Sequence, residues 1–174
     1  ANLIQLTKKN EAHIDFQILN PTKIKISISK LKNINILKFL NNFQNNWNIY
    51  LSKYSNDFFI RNEQLNINSY PNKKIFFEGD ELQLLTKKPL FEKSQKNNKS
   101  WGIQWIIDPQ YIKDNYSDSY YNQNSDGSIN IQLILYFKTQ SYLYIGLIIF
   151  GLILLVFFLY FCLLTYLKIT RKSN

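Results

Sequence analysis

The side chains that could do acid–base, nucleophilic or metal chemistry in this sequence are few and far apart. There is one histidine, His13, and one cysteine, Cys162, so these residue types cannot build a thiolate or imidazole metal cluster. A single imidazole is more often an ordinary strand residue than a base or a ligand. Neither a glycine-rich phosphate loop nor a G-x-S-x-G motif occurs. We therefore predict no catalytic residue, no metal site and no cofactor in this chain.

The segment FFEGDEL places three carboxylates close together, at Glu78, Asp80 and Glu81. Neighbouring carboxylates can serve glycoside hydrolysis or bind calcium. The simpler interpretation is a charged turn around Gly79, and it is the one that the sequence favours.

Three tryptophans, Trp47, Trp101 and Trp105, are the candidate ligand-binding residues. If the rings are exposed, they can stack on sugars. If they are buried, they belong to the core, where one ring removes about 150–250 Å² from water. Trp101 and Trp105 are four residues apart and share a strand face with Ile103, which favours the core for this pair. Trp47 stands among Asn45, Asn46 and Asn48, whose amides suit sugar hydroxyls.

Alternating segments separated by polar turns predict a mainly β fold around these residues. In PTKIKISIS, Ile24, Ile26 and Ile28 fall on one face, and the lysines and serines between them fall on the other. Further predicted strands are HIDFQIL, NWNIYLS, ELQLLT, WGIQWII and SINIQLILYF. Short strands at this spacing predict an antiparallel β-sandwich.

The connections between these segments carry their own signals. Asp126 and Gly127 in NSDGS predict a tight reversal before the last strand. The polar stretch 114–127 predicts a long loop. NILKFLNNF suits either a helical turn or a strand with a bulge, and the sequence leaves this open.

Residues 142–167 contain no charge and form, as a helix, a segment of about 39 Å, longer than a bilayer core of about 30 Å. Lys168, Arg171 and Lys172 follow at once, so the positive-inside rule places the tail in the cytoplasm. We predict three parts: an extracytoplasmic β-sandwich domain 1–140, a transmembrane helix 141–167 and a basic tail 168–174. The expected location is the inner cell membrane, with the N-terminal domain outside.

Composition limits the partners of this chain. The formal charge is +9, from 21 Lys and Arg against 12 Asp and Glu, which suits anionic lipid surfaces or acidic polymers. The cations are scattered and only two are arginines, so we do not predict nucleic-acid binding. The excess of Lys, Asn, Ile, Tyr and Phe is typical of an AT-rich genome. The chain contains no methionine and opens without an apolar leader, so we expect either that a leader has been removed or that this is the end of a longer polypeptide.

Four segments, ILNPTKIKISIS, LNNFQNNWNIYLS, NNKSWGIQWIIDP and LYFKTQSYLYIGLIIFGLILLVFFLY, occur in an order that resembles the C-terminal end of a family of bacterial membrane proteins. These are multi-spanning glycosyltransferase-like proteins of the GT-C and arabinofuranosyltransferase type. The resemblance covers about residues 14–165. The matching positions are Asn20, Pro21, Thr22, Lys23, Trp47, Tyr50, Trp105, Ile107, Gln140, Tyr144, Gly146, Leu147 and Ile149.

The departures from the family pattern fall mainly on turns. Asn46 stands where a glycine is usual, NNKS replaces an Asn-Gly turn, Thr139 replaces a proline and Phe150 a serine. The apolar positions are kept, so the resemblance implies a shared fold more strongly than a shared ligand. The family's catalytic carboxylate lies in an early loop outside the matched segments, and no catalytic residue is carried over to this chain.

The resemblance implies a non-catalytic, membrane-anchored β-domain of a glycosyltransferase-like membrane protein. Such a domain would support or position glycan or lipid-linked sugar near the membrane surface. Its partners would be the lipid bilayer, the glycan and an upstream membrane domain of the same polypeptide. The alternative is a single-pass structural subunit of an organellar membrane complex encoded by an AT-rich genome.

Overall fold

The computed structural model of the chain describes residues 3–7, 11–40, 46–59, 79, 81–98 and 102–173. These residues form nine strands and three α-helices. The strands are β1 (Ile4–Leu6), β2 (His13–Asn20), β3 (Lys23–Leu31), β4 (Asn35–Phe39), β5 (Trp47–Leu51), β6 (Lys96–Asn98), β7 (Gly102–Ile107), β8 (Tyr121–Gln123) and β9 (Ile129–Phe137). The helices are α1 (Glu81–Thr86), α2 (Pro109–Asn115) and α3 (Thr139–Ser173). The chain divides into two compact units, residues 1–138 and 139–174.

The strands of the first unit form two antiparallel sheets, so the prediction of a mainly β fold is confirmed. The smaller sheet has the order β1-β4-β7-β6. In the larger sheet β2, β3 and β9 lie side by side, and β9 carries two strands on its other edge. There β5 pairs with residues 133–137 and β8 pairs with residues 129–131.

One apolar core contains buried side chains from both sheets. On β3 the predicted alternation is present, since Ile24, Ile26 and Ile28 are buried. Side chains from the smaller sheet belong to the same core, and Phe39 of β4 contacts Trp47 of β5 with ring centroids 4.8 Å apart. The shared core therefore joins the two sheets.

The other face of the larger sheet is also covered, which the sequence did not predict. Tyr50, Ile134 and Tyr136 form a second apolar cluster there with Phe58 and Leu84. Lys23 projects to the same side and is fully buried. Alternation assigns a side chain to a face but does not show what packs on that face.

The segment ELQLLT is helix α1, and its prediction as a strand was wrong. Glu81 and Leu84, three residues apart, lie on the same face of a helix but on opposite faces of a strand. Both are buried, so burying them together requires the helix.

The stretch 114–127 is not a long loop. It contains the end of α2, a 3₁₀ turn at Asp118–Tyr120 and strand β8. Tyr116, Tyr120 and Tyr121 pack against the main core. These three rings hold the stretch on the core, although most of its other residues are polar.

Two further expectations concern connections in the first unit. NILKFLNNF begins as strand β4, with Leu37 and Phe39 on its buried side, whereas its last four residues lie mostly outside the described residues.

The predicted reversal joins β8 to β9, and Gly127 has a φ of 81° and donates its N–H to the Asn124 carbonyl at 3.0 Å. Asp126 keeps a negative φ and instead accepts hydrogen bonds from Ser128 through Oδ1.

The second unit consists of α3, an apolar helix of 35 residues. Its segment Thr139–Lys168 is long and apolar enough to cross a membrane, and none of its most apolar part is buried. One such helix near the C-terminus suggests a membrane anchor.

Candidate functional site

Two of the three tryptophans of the predicted site, Trp47 and Trp105, do not present their rings to solvent. Trp105 on β7 is fully buried and Trp47 on β5 is 3% exposed. Trp47 packs between Phe39 and Phe137, with ring centroids 4.8 and 5.5 Å away. Burial of both rings fits the core interpretation and does not fit sugar stacking. Trp101 lies outside the described residues, so its role stays a prediction.

The predicted carboxylate group is only partly described, because Glu78 and Asp80 lie outside the described residues. Glu81 is buried at the start of α1, where its Oε1 is 3.4 Å from Lys23 Nζ and its Oε2 accepts the Gly79 N–H at 2.9 Å. A surface turn would leave Glu81 in water. Its ion pair instead fixes α1 on the larger sheet.

His13 lies at the exposed start of β2, 3.2 Å from Asp15. Within the described part of the chain, no three His, Cys, Asp or Glu side chains converge on a position that could hold a metal ion. The exposed His13 has the surroundings of an ordinary strand residue.

An open polar depression of about 390 Å³ lies between the segment after β5 and the segment that leads into β8. Its lining residues carry hydroxyl, amide and carboxylate groups together with two aromatic rings. They are Tyr54, Ser55, Asn56, Asp118, Ser119, Tyr121 and Asn122. We call this feature the polar depression.

Buried hydrogen bonds fix the first wall of the polar depression. Gln132 of β9 has its side chain buried, and it accepts the Ser55 N–H at 2.8 Å and donates to the Ser55 carbonyl at 2.6 Å. The Ser52 N–H donates to the backbone carbonyl of Gln132 at 2.9 Å. The wall is therefore attached to the central strand of the larger sheet.

The second wall is the 3₁₀ turn Asp118–Tyr120 with the start of β8. The Tyr54 N–H donates to the Ser119 carbonyl at 2.8 Å, which joins the two walls directly. Lys87 contacts both walls. Its Nζ donates to the Leu51 carbonyl at 2.6 Å and lies 5.9 Å from the centre of the Tyr120 ring. Both walls thus have fixed backbones before any ligand arrives.

Asp118 and Tyr121 form the one side-chain pair that links two lining residues. The Tyr121 hydroxyl donates to Asp118 Oδ1 at 2.7 Å. This hydrogen bond is the main reason that the pKa of Tyr121 is raised above its usual value of 10.0. The phenol is protonated at neutral pH with or without this shift. The Tyr121 hydroxyl uses its proton in the hydrogen bond to Asp118, and its oxygen can still accept a hydrogen bond from a ligand.

Several lining groups keep their hydrogen-bonding capacity. Among the residues that the structure describes, the Tyr54 hydroxyl and the side-chain amides of Asn56 and Asn122 make no hydrogen bond to protein. Amides and hydroxyls both donate and accept. With two tyrosine rings beside them, these groups suit a ligand that carries several hydroxyls on a compact carbon frame.

The sequence did not predict the polar depression. Its lining residues come from two segments more than 60 positions apart, and one segment was predicted as a loop. The one local signal is the density of tyrosines in 111–121, since aromatic residues are uncommon in solvated loops.

No protein-family model, curated protein or solved structure matches this chain. The resemblance to glycosyltransferase-like proteins therefore stays a prediction.

Proposed function

We propose that this chain is a non-catalytic, membrane-anchored β-domain that holds a saccharide in the polar depression. Its two sheets pack face to face as a sandwich, and α3 crosses the membrane. In this proposal the domain belongs to a glycosyltransferase-like membrane protein and positions glycan near the membrane surface.

The observation that carries the proposal is the chemistry of the polar depression. Among the described residues, the side chains of Tyr54, Asn56 and Asn122 make no hydrogen bond to protein. The backbones of Tyr54 and Asn122 are held by a hydrogen bond to Ser119 and by pairing with β9. A rigid site binds a flexible oligosaccharide at a smaller entropic cost than a mobile one. Two tyrosine rings provide the apolar surface that the C–H side of a sugar ring prefers.

The sandwich arrangement is supported by the shared core. Phe39 and Trp105 of the smaller sheet and Trp47 of the larger sheet are buried in the same apolar cluster. Interdigitation of side chains from two inner faces is how aligned sheets pack.

The membrane anchor is supported by the length and composition of α3. The segment Thr139–Lys168 of 30 residues exceeds the roughly 20 residues that span a bilayer. A tilted helix accommodates the excess.

Calorimetric titration of the chain in lipid nanodiscs with neutral oligosaccharides tests the binding role. Suitable probes are an acetylated chito-oligosaccharide, maltopentaose and arabinopentaose. N122A removes a lining amide, and Q123A, at the next exposed position of the same strand, is the matched control. We expect N122A to weaken binding about two- to tenfold through lost hydrogen bonds and Q123A to leave it unchanged.

Absence of binding to every probe would contradict the saccharide role. The single-pass structural subunit would then be the better interpretation of the chain. Equal weakening by N122A and Q123A would show that the saccharide binds somewhere other than the polar depression.

A further inference from the structure

We infer that Asp118 makes the polar depression selective for a saccharide that carries a free amine over its neutral and anionic counterparts. This inference rests on the proposed function, because it names the class of saccharide that the same site takes.

Asp118 is the one charged residue among the seven lining residues. The chain as a whole carries +9, so its overall charge attracts anions. The polar depression has the opposite local sign. A ligand seated within a few ångströms of Asp118 experiences that carboxylate more strongly than any lysine more than about 8 Å away, because salt at about 0.15 M screens charges beyond that distance.

The geometry leaves half of this carboxylate available. Oδ1 accepts the Tyr121 hydroxyl at 2.7 Å, which holds the side chain in place. Oδ2 has no hydrogen-bond partner among the described residues. An ammonium group is a donor without acceptors, and it pairs with such an oxygen better than an amide or a hydroxyl does.

Among the described residues, Asp118 makes no ion pair with a lysine or an arginine. Lys87 is committed to the Leu51 carbonyl and the Tyr120 ring. Lys113 donates to the Gly127 carbonyl at 2.8 Å. Neither lysine lines the depression, so the carboxylate charge remains for a ligand.

The expected selectivity is modest, because Asp118 is exposed. An ion pair at a solvated site changes affinity by about two- to fivefold. A uronate carboxylate at the same position would be repelled by Asp118, and its affinity would be lowered by a similar factor.

The test compares two oligosaccharides with the same backbone, a deacetylated chito-oligosaccharide with free amines and its fully acetylated counterpart. Oligogalacturonate supplies the anionic case. The full chain in nanodiscs is titrated at about 0.15 M salt. The pH lies below the pKa of the sugar amines and above the pKa of an ordinary carboxyl, so that both groups are charged. We expect the amine form to bind about two- to fivefold more tightly than the acetylated form.

The variant D118N keeps an oxygen for the Tyr121 hydroxyl and removes the charge. It should abolish the preference for the amine, so that D118N binds the amine form and the acetylated form with equal affinity. D114N is the matched control, because Asp114 is an exposed carboxylate on α2 outside the lining residues. Melting curves of D118N and D114N should coincide with that of the parent.

Four results would overturn the inference. Equal binding of the two chito-oligosaccharides, or a preference that survives in D118N, would remove the role of Asp118 while the proposed function stands. Tightest binding of oligogalacturonate, lost in N122A, would reverse the sign of the selectivity. Absence of binding to all three probes would overturn the proposed function and this inference together.

Discussion

At the scale of single residues, the buried pair Lys23 and Glu81 shows most clearly what packing adds to the sequence. The two side chains are 0% and 2% exposed, and Nζ lies 3.4 Å from Oε1. Removing two charges from water costs several kcal/mol each, which mutual attraction and further hydrogen bonds must offset. The pair therefore depends on both partners, although it does not by itself make the domain more stable than an apolar pair would.

We expect the single variants K23M and E81Q to lower the free energy of unfolding by about 3–5 kcal/mol each, because each removes one charge of a buried ion pair and keeps the other. The double variant K23M/E81L replaces the pair by apolar side chains of similar volume and should be close to the parent. Urea denaturation in detergent micelles measures all three. A double variant as unstable as the sum of the singles would contradict the pairing.

At the scale of elements, β3 is a strand covered on both faces. Ile26 is fully buried in the main core. On the other face, the Lys25 Nζ lies 5.5 Å from the centre of the Phe58 ring. The two adjacent positions therefore differ in the kind of contact they make, and only one of them is inside the apolar core.

We expect I26D to unfold the β-domain, because it buries an unpaired charge among apolar side chains. K25E should cost about 1 kcal/mol, since it loses a cation–π contact at a half-buried site. Thermal melting followed by far-ultraviolet circular dichroism compares the variants. Equal effects would show that β3 has a different register.

At the scale of the whole molecule, the orientation of the chain in the membrane is a prediction of the positive-inside rule. The cations Lys168, Arg171 and Lys172 follow the apolar run, which predicts a cytoplasmic tail and residues 1–140 on the other side. Ser117 is an exposed residue of the β-domain and a suitable reporter position.

We expect S117C, in a C162S background, to react with a membrane-impermeant maleimide in intact cells. K172C in the same background is the control for the opposite side, and it should react only after the membrane is permeabilised. Mass spectrometry of the labelled protein measures both. The reverse pattern would contradict the predicted orientation.

The sequence by itself determined the features that depend on neighbouring residues. Alternation predicted β3, and apolar segments bounded by polar turns predicted β2 and β9. Gly127 predicted the turn before β9, and the uncharged run predicted the apolar helix α3. Each of these signals is contained in a window of fewer than 30 residues. Backbone periodicity and the length of an apolar run are local properties, so no knowledge of the rest of the chain is needed.

Only the tertiary structure decided which polar residues are buried and where the candidate site lies. The contacts responsible are distant in sequence: Lys23 and Glu81 are 58 positions apart, and Ser55 and Gln132 are 77 positions apart. The same contacts turned ELQLLT into a helix and ordered the stretch that lines the polar depression. A local pattern shows which side chains share a face of a helix or strand. Long-range packing decides which other element covers that face, and this decides which side chains are buried.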